Sequence, residues 1–167
     1  GGPPLQVLQA MQTFTFVTVF FIVMLIQILV YLYVRPNRSM WVYMIPFVFA
    51  AVVIHYPLLF SPYSFIFRTL PLGPGWNPAS SSGVNLFVAM FFAAGLCEEI
   101  LKATPILIGA WLSMRAFKDP TKAQGGLYRY LHVRGPLDGA LMGVFAGGGF
   151  VLTETGLEYV GIELARI

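Results

Sequence analysis

Long apolar runs separated by short polar segments are the main pattern of this chain. Four runs are long enough to cross a membrane as helices, and they lie near residues 13–34, 40–60, 84–114 and 137–160. A bilayer core about 30 Å thick needs about 20 apolar residues per helical span. The pattern therefore predicts an all-α protein, a polytopic transmembrane helix bundle with about four spanning helices, in a single domain comprising residues 1–167. The third run exceeds one vertical span and contains Pro105, so we expect it to be tilted, kinked or extended past the membrane.

Composition supports a membrane protein. Apolar residues make up 57% of the chain and charged residues only 10%, against roughly 25% charged in an ordinary soluble domain. The formal charge of +3 fits contact with a lipid bilayer and its anionic headgroups. We find no nucleic-acid-binding motif, so nucleic acid is not an expected partner.

Basic residues are concentrated between the first and second runs and between the third and fourth runs. The basic residues of these two loops are Arg35, Arg38, Arg115, Lys118, Lys122, Arg129 and Arg134. The loop between the second and third runs carries only Arg68. Because Lys and Arg are enriched in cytoplasmic loops, we expect loops 35–39 and 115–135 in the cytoplasm and both termini outside.

Two carboxylates and an amine lie within the third apolar run, where residues 97–102 read Cys-Glu-Glu-Ile-Leu-Lys. Charge at that depth is expensive unless it is paired or bound, so it points to a functional site. On a helix Lys102 can pair with either carboxylate, since Glu98 is four and Glu99 three positions away. The two glutamates themselves diverge by about 100°.

The fourth run carries a second acidic pattern. Phe150 and Glu154 are four residues apart and share a helix face. Before them, Gly139, Gly143 and Gly147 recur at four-residue intervals. Such a stripe of small residues allows another helix to approach closely.

A depth estimate predicts that the two acidic patterns meet. Glu98 lies about 17 residues before Arg115, and Glu154 about 17 residues after Leu137. At about 1.5 Å per residue, both carboxylates lie roughly 25 Å from the cytoplasmic boundary, toward the outer part of the membrane. His55 lies at a similar depth, counted from the first basic loop.

Carboxylates and an imidazole that converge in a low dielectric can bind a metal ion, with zinc the natural choice for a hydrolase. The candidate metal ligands are Glu98, Glu99, Glu154 and His55. His55 has a simpler interpretation as a hydrogen-bonded core histidine near the end of its helix. Cys97, the single cysteine, excludes an internal disulfide and is either a small buried side chain or a metal contact.

Two motifs resemble a known family. Residues 98–102 fit an EExxK motif, and residues 138–154 begin with Asp-Gly and end with Phe and Glu four positions apart. Together they resemble the EExxK and DG...G...FxxxE motifs of the PrsW family of intramembrane metalloproteases, over roughly residues 84–160. The resemblance implies that Glu98, Glu99, Lys102 and Glu154 are catalytic. The first two would supply a metal ligand and a water-activating carboxylate, Lys102 would hold their geometry, and Glu154 would contribute to the same site.

The resemblance implies cleavage of membrane-anchored substrates near the outer face, in a bacterial inner membrane. Family members carry a histidine motif on a later helix. We therefore expect either that the chain continues past Ile167 into that helix or that the protein is a degenerate relative. The alternative function is a non-catalytic PrsW-like membrane subunit that packs in a larger complex. An ion pathway also uses intramembrane carboxylates, but no inverted repeat supports it.

Overall fold

The computed structural model describes residues 5–73, 82–119 and 126–159, and every regular element in these ranges is helical. The predicted all-α class is confirmed. The helices are α1 (Leu5–Val34), α2 (Met40–His55), α3 (Pro57–Leu72), α4 (Gly83–Lys118), α5 (Gly126–Leu131) and α6 (Pro136–Thr153).

Some of the described helices have the length and apolarity that a membrane span requires. Over the described ranges, α1, α4 and the segment Pro136–Leu157 are long and apolar enough to cross a membrane. The pair formed by α2 and α3 qualifies as a fourth span when it is taken together. The protein is therefore an integral membrane protein, and its helices contact the lipid bilayer.

The second apolar run is bent, with an angle of 86° between α2 and α3, as in a broken span or a re-entrant loop. The bend lies at Tyr56, which has an extended backbone with φ −98° and ψ 108°. Pro57 follows it, and the ring of a proline clashes with a helical conformation of the preceding residue. The run near residues 40–60 is consequently divided into two helices, and α3 turns back toward α4.

In the described ranges, three π-helical turns interrupt or extend the α-helices. They comprise Phe65–Thr69 within α3, Phe91–Leu96 within α4 and Glu154–Tyr159 after α6. Such turns are rare in proteins, and those that occur are often found at functional sites. The second of them ends directly before Cys97, and the third begins at Glu154, so both acidic motifs border a widened helical turn.

Helix α6 is the central helix, and its glycines allow three neighbours to approach. Gly143 faces the side chain of Ile106 on α4. A Cβ atom at Gly148 would overlap the side chain of Gln27 on α1, and one at Gly149 would overlap the backbone carbonyl of Phe47 on α2. The small residues therefore determine how closely α1 and α2 pack against α6.

A buried ion pair joins the segment that precedes α2 to the N-terminus of α6. Nη1 of Arg38 lies 2.8 Å from Oδ2 of Asp138, and the Tyr43 hydroxyl donates a hydrogen bond of 2.6 Å to Oδ1. The backbone N–H of Arg134 donates to Oδ2 at 3.0 Å. The Asp-Gly part of the second motif thus has a structural role here, about 24 Å along the helix from Glu154.

Candidate active site

Lys102 connects the two acidic motifs. Its Nζ lies 4.3 Å from the centre of the Phe150 ring, which belongs to α6. The same amine lies 2.7 Å from Oε1 of Glu99 on its own helix. Because Phe150 precedes Glu154 by one turn, this cation–π contact places the EExxK segment beside the FxxxE segment.

Glu98 of α4 and Glu154, the first residue of the π-helical turn after α6, interact electrostatically. The Glu98 side chain is partly buried and lies within electrostatic range of the carboxylate of Glu154. Lys102 and Arg68 lie within the same range of Glu98. The structure therefore brings together two carboxylates from antiparallel helices, with two cations nearby.

Glu99 points away from that pair. Its side chain is 70% exposed, and Lys102, 21% exposed, turns toward it to form their ion pair. This divergence follows from the 100° step between consecutive residues of a helix. Of the two neighbouring glutamates, only Glu98 is directed toward Glu154.

The opposite face of this segment holds it against the bundle. Cys97 and Leu101 are fully buried. Leu101 packs in an apolar cluster with Ala50 of α2 and with Ala146 and Phe150 of α6. Because Cys97 and Leu101 are four residues apart, their burial sets the rotation of α4 and directs Glu98 toward α6.

Arg68 is a residue of the site that the sequence analysis placed only in an outer loop. It lies in the π-helical turn of α3, and its Nε donates a hydrogen bond of 2.9 Å to the backbone carbonyl of Ala93. Its guanidinium lies 5.2 Å from the centre of the Phe60 ring. One feature of the sequence could have pointed to Arg68: it is the only charged residue between Arg38 and Glu98.

A second contact holds α3 on α4. The hydroxyl of Tyr63 donates a hydrogen bond of 3.1 Å to Oγ1 of Thr104, which in turn donates to the carbonyl of Ile100 at 2.8 Å. With the bond from Arg68, this contact ties α3 to α4 on both sides of the glutamates. Helix α3 therefore forms one wall of the site.

A family model described as PrsW family intramembrane metalloprotease matches residues 38–165. This chain belongs to the PrsW family. The match begins at Arg38 and includes all four residues that the motifs single out, Glu98, Glu99, Lys102 and Glu154. The comparison with curated proteins gave no match, and neither did the comparison with solved structures.

The description of the PrsW family as metalloproteases suggests a metal. Among the described residues, no group of three or more His, Cys, Asp or Glu side chains is placed to hold a metal ion. Glu98 and Glu154 approach each other, but Glu99 is paired with Lys102. His55 is exposed at the end of α2, where its ring packs edge-on against Tyr56 with the ring centres 5.9 Å apart. Because a catalytic zinc usually takes three protein ligands, the described donors do not complete a zinc site.

Proposed function

We propose that this PrsW protein is an intramembrane protease that cleaves membrane-anchored proteins near the outer face of the membrane. The observation that carries the proposal is the carboxylate pair formed by Glu98 and Glu154, with Lys102 bridging the two helices. Charged groups inside a membrane are costly and are usually retained for function.

The carboxylate pair has the chemistry that peptide hydrolysis requires. A general base must take a proton from the attacking water, and a general acid must give one to the leaving amine. Glu98 and Glu154 can divide these two tasks, because the two carboxylates interact electrostatically with each other and so lie in one part of the bundle. Lys102 and Arg68 offset their negative charge, which lowers the free-energy cost of holding carboxylates in a low dielectric.

The position of the site supports cleavage near the outer face. We propose that the basic loops 35–39 and 115–135 lie in the cytoplasm, as the enrichment of Lys and Arg predicts. Both carboxylates would then lie about 25 Å from the cytoplasmic boundary. A bacterial inner membrane is the location that we propose for the protein.

Zinc is the metal that we propose for the activity implied by the family. When bound, it would polarise the scissile carbonyl and activate water. Glu98 and Glu154 are one ligand short of a usual catalytic set.

The alternative proposal is a non-catalytic PrsW-like membrane subunit within a larger complex. The observation that favours it is the pairing of the cations, since Lys102 contacts Glu99 and Phe150, and Arg68 binds the carbonyl of Ala93. A network of this kind also stabilises helix packing without catalysis. Membrane-protein substrates and partner subunits are thus the two candidate classes of partner.

Cleavage of a single-span reporter protein, co-reconstituted with the full chain in liposomes, distinguishes the two proposals. For a protease, we expect Glu98→Gln and Glu154→Gln each to lower the cleavage rate about 100-fold or more. Thr155→Ala, at an exposed position beside Glu154, should leave the rate unchanged. Equal cleavage by all four proteins, or no cleavage by any, would reject catalysis by this pair.

A further inference from the structure

Gln27 is a buried polar side chain in the middle of α1, a helix that is otherwise mostly exposed to lipid. It is only 2% exposed, and its Nε2 donates a hydrogen bond of 3.1 Å to the backbone carbonyl of Val144 on α6. Within the described part of the chain, its Oε1 has no hydrogen-bond partner. A buried acceptor that lacks a donor loses its hydration without compensation. A donor from outside the described chain would remove this free-energy cost.

A cavity of about 200 Å³ lies beside this amide, between α1 and α6. Gln27, Ile26, Gly147 and Val151 are among the residues that line it. Ile26 and Val151 are about half exposed, and a Cβ atom at Gly147 would meet no other atom within 4 Å. The cavity is therefore a groove with an apolar rim that opens toward the membrane at Gly147.

The groove leads to the candidate active site. Gly147 and Glu154 are seven residues apart, which is close to two helical turns. Their directions around the axis differ by only about 20°, and their separation along it is about 10 Å. A helix packed in the groove would thus continue past the carboxylate of Glu154.

The chemistry of the groove selects its occupant. Lipid acyl chains have the apolar character of the rim but carry no hydrogen-bond donor for Oε1 of Gln27. A transmembrane helix supplies both features, because helices pack closely at small residues and bond across the interface through Ser and Thr hydroxyls.

We propose that the groove between α1 and α6 binds the transmembrane helix of the substrate, and that the Gln27 side chain turns into the groove so that its Oε1 accepts a hydrogen bond from a Ser or Thr hydroxyl of that helix. This rests on the proposed function, since the bound helix is taken to be the one that is cleaved. Val144, which Gln27 contacts, precedes Glu154 by ten residues. The hydroxyl residue of the substrate therefore lies about 15 Å from the scissile bond, toward the basic loops.

Binding of synthetic peptides tests the hydrogen bond. The probes are single-span Leu-Ala peptides with terminal lysines that carry one Ser at successive central positions, each matched by a peptide with Ala there. Energy transfer to the labelled full chain in liposomes reports binding. We expect the best Ser peptide to bind about threefold or more tightly than its Ala match, and Gln27→Leu to abolish the difference. Equal binding of every Ser and Ala pair would overturn the proposal and assign the cavity to water or lipid.

Steric filling and crosslinking test the location. Gly147→Leu should weaken the binding of Ser and Ala peptides alike, and the open space there allows the variant to fold.

A photoreactive residue at Ile26, which lines the groove, should crosslink to the peptide. The same residue at Leu25, which is similarly exposed (57% against 51%) and does not line the groove, should not. Equal crosslinking from the two positions would overturn the proposal.

These measurements are independent of cleavage, so the two proposals can fail separately. The Glu98→Gln protein should bind the peptides as the unchanged protein does. Peptide binding as expected, without cleavage of any reporter, supports the groove and overturns the proposed function. Cleavage that is unaffected by Gly147→Leu and by Gln27→Leu supports the proposed function and overturns the groove.

Discussion

Nζ of Lys102 lies 4.3 Å from the centre of the Phe150 ring, although the two residues are about 50 positions apart in the chain. The contact joins α4 to α6 one turn from Glu154. Lys102 also pairs with Glu99, so a single amine restrains both acidic motifs. Its loss should therefore affect the relative position of Glu98 and Glu154 as well as the charge of the site.

Phe150→Leu should lower the cleavage rate by about tenfold while the protein remains folded. The change keeps an apolar side chain in the cluster but removes the ring under Lys102, and a cation–π contact contributes about 0.5–2 kcal/mol. Cleavage rate and thermal unfolding in detergent are the measurements. Phe14→Leu, at an exposed position on α1, is the matched control. An unaltered rate for Phe150→Leu would show that the contact does not position the carboxylates.

Arg68→Gln should reduce cleavage by about tenfold, and Arg68→Lys should restore part of the loss. Gln removes the positive charge near Glu98, whereas Lys retains the charge but not the geometry of the bond to Ala93. The rate at saturating reporter concentration is the measurement. Arg115→Gln removes an exposed cation that packs on Trp111, and this control should retain full activity. If Arg68→Gln and Arg115→Gln lower the cleavage rate equally, the net charge of the protein rather than the position of Arg68 is responsible.

Asp138→Asn should lower the free energy of unfolding by about 3–5 kcal/mol, because it removes the charge of a buried ion pair with Arg38. Tyr43→Phe removes one hydrogen bond to the same carboxylate and should cost about 1.5–3 kcal/mol. Denaturant titration in detergent measures both values. Comparable losses in the two variants would contradict a dominant role for the ion pair.

Gly149→Ala should destabilise the bundle by about 1–3 kcal/mol, because the new methyl group meets the backbone carbonyl of Phe47, which cannot move independently of α2. Gly147→Ala, two positions earlier, adds the same methyl group in open space and should leave stability unchanged or raise it. Thermal unfolding of the two variants is compared. Equal unfolding temperatures would mean that α2 and α6 separate without cost.

Zinc should be found at about one ion per chain in purified active protein, and a chelator should abolish cleavage until zinc is restored. The Glu98→Gln and Glu154→Gln variants should each retain less zinc, because each removes a candidate ligand. Elemental analysis by mass spectrometry measures the content. Active protein that contains no metal and resists chelators would remove zinc from the proposal.

The local sequence was sufficient to predict several features of the protein. Uninterrupted apolar runs predicted the all-α class, because a membrane span must satisfy its backbone hydrogen bonds within a helix. Glu98, Lys102 and Glu154 were predicted as candidate site residues because charge is rare in such runs, and counting from the basic loops predicted similar depths for the two carboxylates. These inferences depend only on the spacing of residues along one helix and on the rise per residue that all α-helices share.

Only the tertiary structure decided which side chains share the site. The bend at Tyr56 brings α3 and Arg68 back against α4, while Glu99 is directed to Lys102 and His55 lies at the exposed end of α2. The orphaned amide oxygen of Gln27 became visible only once α1 was packed against α6. The physical reason is that each of these features depends on the rotation and bending of whole helices relative to one another. Those quantities are determined by contacts between residues distant in the chain, such as Gly149 with Phe47 and Lys102 with Phe150.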